Sequence, residues 1–254
     1  MLTATENRQV GFPYSMLAAA GAINGVSIVK KFGFNLSVTS QATIWDEGGL
    51  YVYPASATVM QAASTDVDDT ALGTGARTIR IVGLDENWLD SYEDVALNGQ
   101  TPVATTKQFI RVFRANVLSS GASGGSEGNI YIGTGTFTAG VPVNKYARIT
   151  DGNNQTLMAI YSVPADKVAF ISDYYSNSGK SGEVTVDSFV RSFGGVFQNK
   201  RKVSIFESTF YFPNRFPFYL EPKTDVEVRA ASSVGTPISA GFDMMLVDKD
   251  KLFS

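Results

Sequence analysis

From Ile238 to Leu246 every second residue is apolar: Ile238, Ala240, Phe242, Met244 and Leu246 alternate with Ser239, Gly241 and Asp243. Side chains of a strand point alternately to its two faces, so this alternation describes a strand with one buried face; a helix would repeat its apolar positions every three to four residues. The period recurs. Ile79 and Ile81 alternate with Thr78 and Arg80, Ile130 and Ile132 flank Tyr131, and Val226, Val228 and Ala230 alternate with Asp225, Glu227 and Arg229. Turn residues punctuate these runs at Asn98-Gly99, Asp151-Gly152, Pro164-Ala165-Asp166, Ser178-Gly179 and Pro222, the first two being strong hairpin dipeptides. No helical stripe exceeds two turns beyond the N-terminal segment. The expected fold class is all-β, a sandwich. The strands around Val226 and Phe242, joined by a turn over Ser232 to Pro237, are expected to pair antiparallel and to complete the core together.

With 254 residues the chain has room for one large domain or two modest ones. The run Ser119 to Gly128, rich in Gly and Ser, reads as a flexible surface loop. Asp151-Gly152-Asn153-Asn154 closes one strand series before Leu157 opens another. The expected division is an extended N-terminal arm over residues 1–40, a β-domain over 41–150 and a C-terminal β-sandwich over 151–254, with one larger sandwich as the alternative. Residues Gln9 to Val29 carry no charge, the length of a membrane span, but Gly11, Pro13, Gly21, Asn24 and Gly25 interrupt them and the most apolar piece is mostly alanine. Glu6 precedes the only early cation, Arg8, unlike a secretory signal. The expectation is an arm lying against another subunit, with no membrane partner.

Cysteine and histidine are both absent. That removes disulfides, thiolate and imidazole metal ligands, thiol nucleophiles and the histidine of a catalytic triad. Net charge is −3 and no segment is strongly basic, so nucleic acid is not an expected partner; Lys200, Arg201 and Lys202 read as a solvated turn. Gly73/Gly75 and Gly133/Gly135 lie between strands and open no helix, which makes them hairpin glycines, not a nucleotide loop. Gly179-Lys180-Ser181 resembles the end of a phosphate loop, yet Tyr174 stands where the leading glycine belongs. The acidic residues Asp66, Asp68 and Asp69, and Asp85, Glu86, Asp90, Glu93 and Asp94, read as solvated loop carboxylates; a cation at Asp66 to Asp69 and a glycosidase pair are the alternatives. Asn35-Leu36-Ser37 and Asn154-Gln155-Thr156 match glycosylation triplets that recur by chance. The aromatics Phe206, Phe210, Tyr211, Phe212, Phe216, Phe218 and Tyr219 around Pro213 and Pro217 are expected to fill the core where two sheets meet, with a sugar-stacking platform as the alternative. No catalytic residue, cofactor-binding residue or metal ligand is assigned, no cofactor is expected, and the chain is not expected to be an enzyme.

A Pro164-Ala165-Asp166-Lys167 turn leads into Val168-Ala169-Phe170-Ile171, then Ser178-Gly179-Lys180-Ser181-Gly182-Glu183-Val184-Thr185-Val186, Phe189-Val190-Arg191, Gly194-Gly195-Val196-Phe197, Glu221 to Ala230 and Ser239-Ala240-Gly241-Phe242. This series resembles a domain of tailed-bacteriophage virion proteins, particularly those of marine and cyanobacterial phages. Upstream, Gly75 to Ile79, Gly83 to Trp88 and Val95 to Gly99 also resemble phage structural proteins. The resemblance implies a jelly-roll-like β-sandwich and a capsid decoration or cement protein, trimeric, bound to the major capsid protein or other virion proteins and assembled in the host cytoplasm. A tail, neck or baseplate component is the alternative within that class, and a carbohydrate-binding receptor or spike protein the alternative outside it. A shell-forming capsid protein of the phage type is not expected, because the chain lacks a long helical stripe.

Overall fold

A computed structural model describes residues 13–179 and 182–252. A short helix α1 (Tyr14–Ala19) comes first, followed by β1 (Val26–Val38) and β2 (Ala42–Thr43). Seven strands come next: β3 (Thr58–Ser64), β4 (Ala76–Leu84), β5 (Asp90–Ala96), β6 (Val103–Phe109), β7 (Arg111–Ser120), β8 (Ile130–Thr138) and β9 (Val141–Ile149). The last seven are β10 (Ile160–Ser162), β11 (Lys167–Ser178), β12 (Glu183–Arg191), β13 (Gln198–Phe206), β14 (Thr209–Leu220), β15 (Asp225–Ser232) and β16 (Thr236–Asp248), before a closing turn of helix α2 (Lys249–Leu252). The all-β expectation holds.

Two sheets build the larger sandwich. One has the order β1-β16-β11-β14; the other has β10-β15-β12-β13, with β2 also on β15. Ala42 and Thr43 pair with Ala230 and Arg229, while Ile160 to Ser162 pair with Glu227 to Asp225. Between these pieces the Ile44 N–H donates to the Val228 carbonyl (2.9 Å), and the Val228 N–H donates to the Ala159 carbonyl (3.1 Å). β2 and β10 are therefore two halves of one strand. Counted that way, eight strands form two four-stranded sheets with the strand order of a jelly roll.

The interruption is where the second sandwich leaves and returns. Ala159 N–H donates to the Ile44 carbonyl at 2.9 Å, and Trp45 bridges Met158, so the two crossings run side by side. Gly33 of β1 faces this neck: a Cβ there would lie 2.1 Å from the Ile44 carbonyl oxygen, which only glycine avoids. Between the crossings, β6-β3-β8-β9 and β5-β4-β7 enclose their own core of Met60, Ile79, Ile81, Phe109, Ile130, Ile132 and Ile149. The jelly-roll core is separate, around Val226, Val228, Ile238, Phe242, Met244 and Leu246.

Three expectations change. Val26–Val38, expected within an arm over residues 1–40, is an edge strand paired along β16 from Val26↔Val247 to Val38↔Thr236; its polar and apolar residues have a partner within the same chain. The jelly roll consequently draws β1 and β2 from before residue 44, and the segment 151–254 alone lacks them. Strands β15 and β16 do not pair. They lie in opposite sheets, and their apolar faces meet across the core. Finally, the Ser119 to Gly128 loop is anchored: Glu127 and Gly128 N–H groups donate to Asp69 (3.0 Å each), and the Ser126 N–H to Asn154 Oδ1 (3.1 Å).

The neck holds a titrating group. Asp46 accepts the Leu157 N–H at 2.7 Å. Burial pushes its carboxyl from the ordinary 3.8 up to about 6, although the Leu157 and Thr150 hydrogen bonds and Arg148 pull the other way. A carboxyl raised on folding binds its proton more tightly in the native state, so its stabilising effect is complete below pH 4 and fades as pH rises through 6. Asp46 should remove roughly 3 kcal/mol of stability over that window, at about 1.4 kcal/mol per pH unit of displacement. Asp46→Asn should flatten the loss in urea denaturation curves taken between pH 4 and 7. Parallel loss in both proteins would contradict this assignment.

Candidate functional site

The hairpin of β13 and β14 joins the two jelly-roll sheets at their outer edges. Among the described residues β14 pairs with β11 on one side and with no strand on the other, and β13 likewise pairs with β12 alone. Pro213 and Pro217 withhold N–H groups along β14, a device that blunts further strand pairing at an edge. Of the seven aromatics expected in the core, Phe210 is half-buried and packs against it, while the other six lie on the surface. Phe216 is 83% exposed and Tyr211 and Phe206 are 62% exposed, with Phe212, Phe218 and Tyr219 also exposed. The reason is topological: the core between the sheets is already filled by Leu220, Ile205, Tyr174 and Phe242, and an edge strand offers its side chains no second layer.

These rings are held in place. Phe210 and Phe212 are stacked with centroids 6.2 Å apart, Phe170 and Tyr219 lie 5.5 Å apart, and the Arg201 guanidinium sits 3.5 Å over the Phe212 ring while donating to Asn214 Oδ1 (3.0 Å). The Tyr211 hydroxyl donates to Asp173 at 2.6 Å. Ordered apolar rings presented to water are the signature of a contact surface, because aromatic side chains contribute large area at little entropic loss on binding.

A second feature lies in the seam between the sandwiches. Asp225 and Glu227 alternate with core residues on β15, and the sequence pattern places them toward solvent; both are buried, because the inserted sandwich covers that face. Asp225 accepts from Arg111 Nε (2.8 Å) and Nη2 (3.0 Å), from Arg191 Nε (3.0 Å) and Nη2 (2.6 Å), and from Ser162 Oγ (2.5 Å). Glu227 pairs with Arg229 and accepts the Tyr53 hydroxyl at 3.2 Å; burial, with Glu227 and Asp225 beside it, pushes the Tyr53 phenol well up. Cations and rings then alternate across the seam: Arg191 lies between Phe197 (4.4 Å) and Tyr53 (4.6 Å), Arg111 between Tyr53 (5.0 Å) and Trp88 (4.4 Å), and Lys223 between Trp88 (5.9 Å) and Phe193 (4.9 Å). No motif in the sequence marks these residues, which come from five separate segments.

The carboxylates considered for chemistry do local structural work. Asp69 is fully buried and accepts from Ser64 Oγ (2.5 Å), the Ala76 N–H (2.6 Å) and the two loop N–H groups already named. Asp66, Asp68 and, from the distant loop, Glu127 bring one oxygen each within 4.8 Å of one another, an association without a sequence signal. Asp85 caps its own turn through Asn87 and Leu89, Glu93 accepts the Thr106 and Lys107 N–H groups, and Asp94 pairs with Arg80 at 2.7 Å. Asp85, Glu86, Asp90, Glu93 and Asp94 form no cluster of ligating oxygens among the described residues. Gly73 and Gly75 allow the Asp68 and Asp69 loop to approach, since a Cβ would meet Asp68 O at 2.0 Å and Asp69 Oδ1 at 2.2 Å respectively. Lys180 and Ser181 of the phosphate-loop-like triplet lie outside the described residues. Asn35 is buried and accepts the Ser37 N–H, which removes it as a glycosylation acceptor in the folded chain.

No protein-family model matches this chain, and no curated protein matches its sequence. Solved structures that align with it include infectious bursal disease virus, Gt strain, at 9% identity over 90% of this chain and 71% of that one, with a TM-score of 0.24. The T13 particle of the same virus aligns at 10% identity over 95% and 76%, TM-score 0.25, and the cowpea mosaic virus top component at 12% over 78% and 84%, TM-score 0.18. Similarity at these TM-scores transfers no role to this chain.

Proposed function

We propose that the chain is a non-enzymatic structural protein of a virus particle that assembles with copies of itself and with other virion proteins. The observation that carries this is the ordered, exposed aromatic edge of β14 on the jelly roll. The resemblance of Pro164 to Asp248 to phage virion domains refines the proposal to a trimeric decoration or cement protein on a capsid lattice. A chain without thiols and imidazoles suits assembly in a reducing cytoplasm.

Phe216→Asp tests the contact without touching the fold, since that ring is largely in solvent. Multi-angle light scattering of the full chain at micromolar concentration should give three times the monomer mass. The variant should associate at least about 30-fold more weakly, the effect of losing roughly 2 kcal/mol at a central aromatic, with an unchanged melting temperature. A monodisperse wild-type monomer, or an oligomer indifferent to Phe216→Asp, would contradict the proposal.

A further inference from the structure

The seam between the sandwiches opens to solvent as a cleft of about 360 Å³, lined by Tyr53, Trp88, Arg111, Arg191, Phe193 and Lys223 around Asp225. Its charge does not balance. Arg111, Arg191 and Lys223 face one carboxylate, and Glu227 beyond them is already matched by Arg229. Arg111 uses all of its donor nitrogens on Asp225, Pro54 O and Ile110 O. Arg191 engages Asp225 through Nε and Nη2, leaving Nη1 without a hydrogen bond among the described residues, and Lys223 forms no ion pair among them. Two donor groups and a net surplus of two positive charges therefore face the cleft.

Collecting like charges at a partly desolvated surface is unfavourable unless something negative completes the set. The backbone reinforces the point. Trp88 (φ 64°) and Lys223 (φ 61°) both sit in the left-handed region, where glycine or asparagine belongs and where a bulky side chain is strained. Asparagine stands one residue away, at Asn87, yet the turn places the indole at the strained position. The Trp88 N–H and carbonyl are pinned by Asp85 O (3.0 Å) and the Ala165 N–H (2.8 Å), which fixes the ring beside Arg111 and edge-on to Phe193 (5.5 Å). Surrounding contacts hold both residues in this conformation, which places a ring and an ammonium at one mouth.

We propose that this cleft binds an oxyanion, the carboxylate or phosphate of a small organic ligand, between Arg191 Nη1 and Lys223 Nζ, with the ligand's body against Trp88. Arg191 supplies a planar donor and Lys223 a point charge, the pairing that suits either oxyanion. The inference is independent of the virion reading.

Isothermal titration of the full chain with inorganic phosphate, with glucuronate and with neutral glucose tests it, at constant ionic strength set with chloride. One equivalent of phosphate or of glucuronate should bind per chain, and glucose should not. Lys223→Met should weaken binding at least tenfold, and the melting temperature of the wild type, but not of this variant, should rise with the bound anion. Lys202→Met, a solvated lysine on β13, should leave binding unchanged. Phosphate without glucuronate would assign the site to phosphorylated ligands, and the reverse to acidic sugars. Failure of both probes to bind, or binding insensitive to Lys223→Met, would overturn the proposal.

Discussion

Phe242→Ala should lower stability by roughly 3–5 kcal/mol, a large part of the about 5–15 kcal/mol that holds a typical domain folded. The ring is fully buried at the centre of the jelly roll, between its register partners Lys31 and Tyr174 in the sheet and opposite the apolar face of β15. Its loss leaves a void that neighbouring strands, fixed by ladders on both sides of β16, cannot collapse to fill. The next residue behaves oppositely. Asp243 points away from the core and burial raises its carboxyl, with Lys30 opposing, so Asp243→Ala should cost about 0.5 kcal/mol or less. Thermal melts of the two variants distinguish this register from a one-residue slip, in which every side chain of β16 changes face. Greater damage from Asp243→Ala would contradict it.

Asp225→Ala should be comparably destructive, by roughly 3–5 kcal/mol, although no apolar contact is lost. Its carboxylate is the counter-charge for Arg111, whose side chain is only 8% exposed, and for Arg191. Removing it leaves the largely buried Arg111 guanidinium in the seam with no anion to pair with. Asp225→Asn, which keeps the shape, should lose nearly as much, because the missing quantity is charge. Denaturant titration checks both, with Arg80→Ala as the comparison: that guanidinium pairs with Asp94 in solvent, and its loss should not be resolved. Tolerance of Asp225→Asn would show that the seam is held by packing alone.

These two residues also mark what a sequence can and cannot reveal. Ile238 to Leu246 announce a strand and its inward face because a solvated reverse face makes the alternation visible. Asp225, Glu227 and Arg229 carry the same alternation, and the inference of solvent for them fails because a second sandwich covers that face and brings its own guanidinium and phenol to meet the charges. Periodicity reports polarity, not which polar face is covered. The aromatics of β14 mislead in the other direction: their density reads as core, but a strand at a sheet edge has no second layer to bury them. The split strand is beyond any local pattern, since β2 and β10 are two and three residues long and lie more than a hundred residues apart. Asn98-Gly99 and Asp151-Gly152 are legible as turns, with Gly99 (φ 59°) and Gly152 (φ 78°) in the left-handed conformation, but not as the hairpins their dipeptides predict: the first links β5 to β6 and the second β9 to β10, and in each case the two strands lie in different sheets.

The central claim, that this chain is a structural component of a virus particle, is tested most directly by quantitative mass spectrometry of particles purified from the host cell in which the chain is made. Peptides of the chain should co-purify with the capsid at hundreds of copies per particle, and Phe216→Asp should reduce that number without reducing the soluble pool. A few tens of copies would move the chain to a tail or spike. Its absence from purified particles would contradict the account.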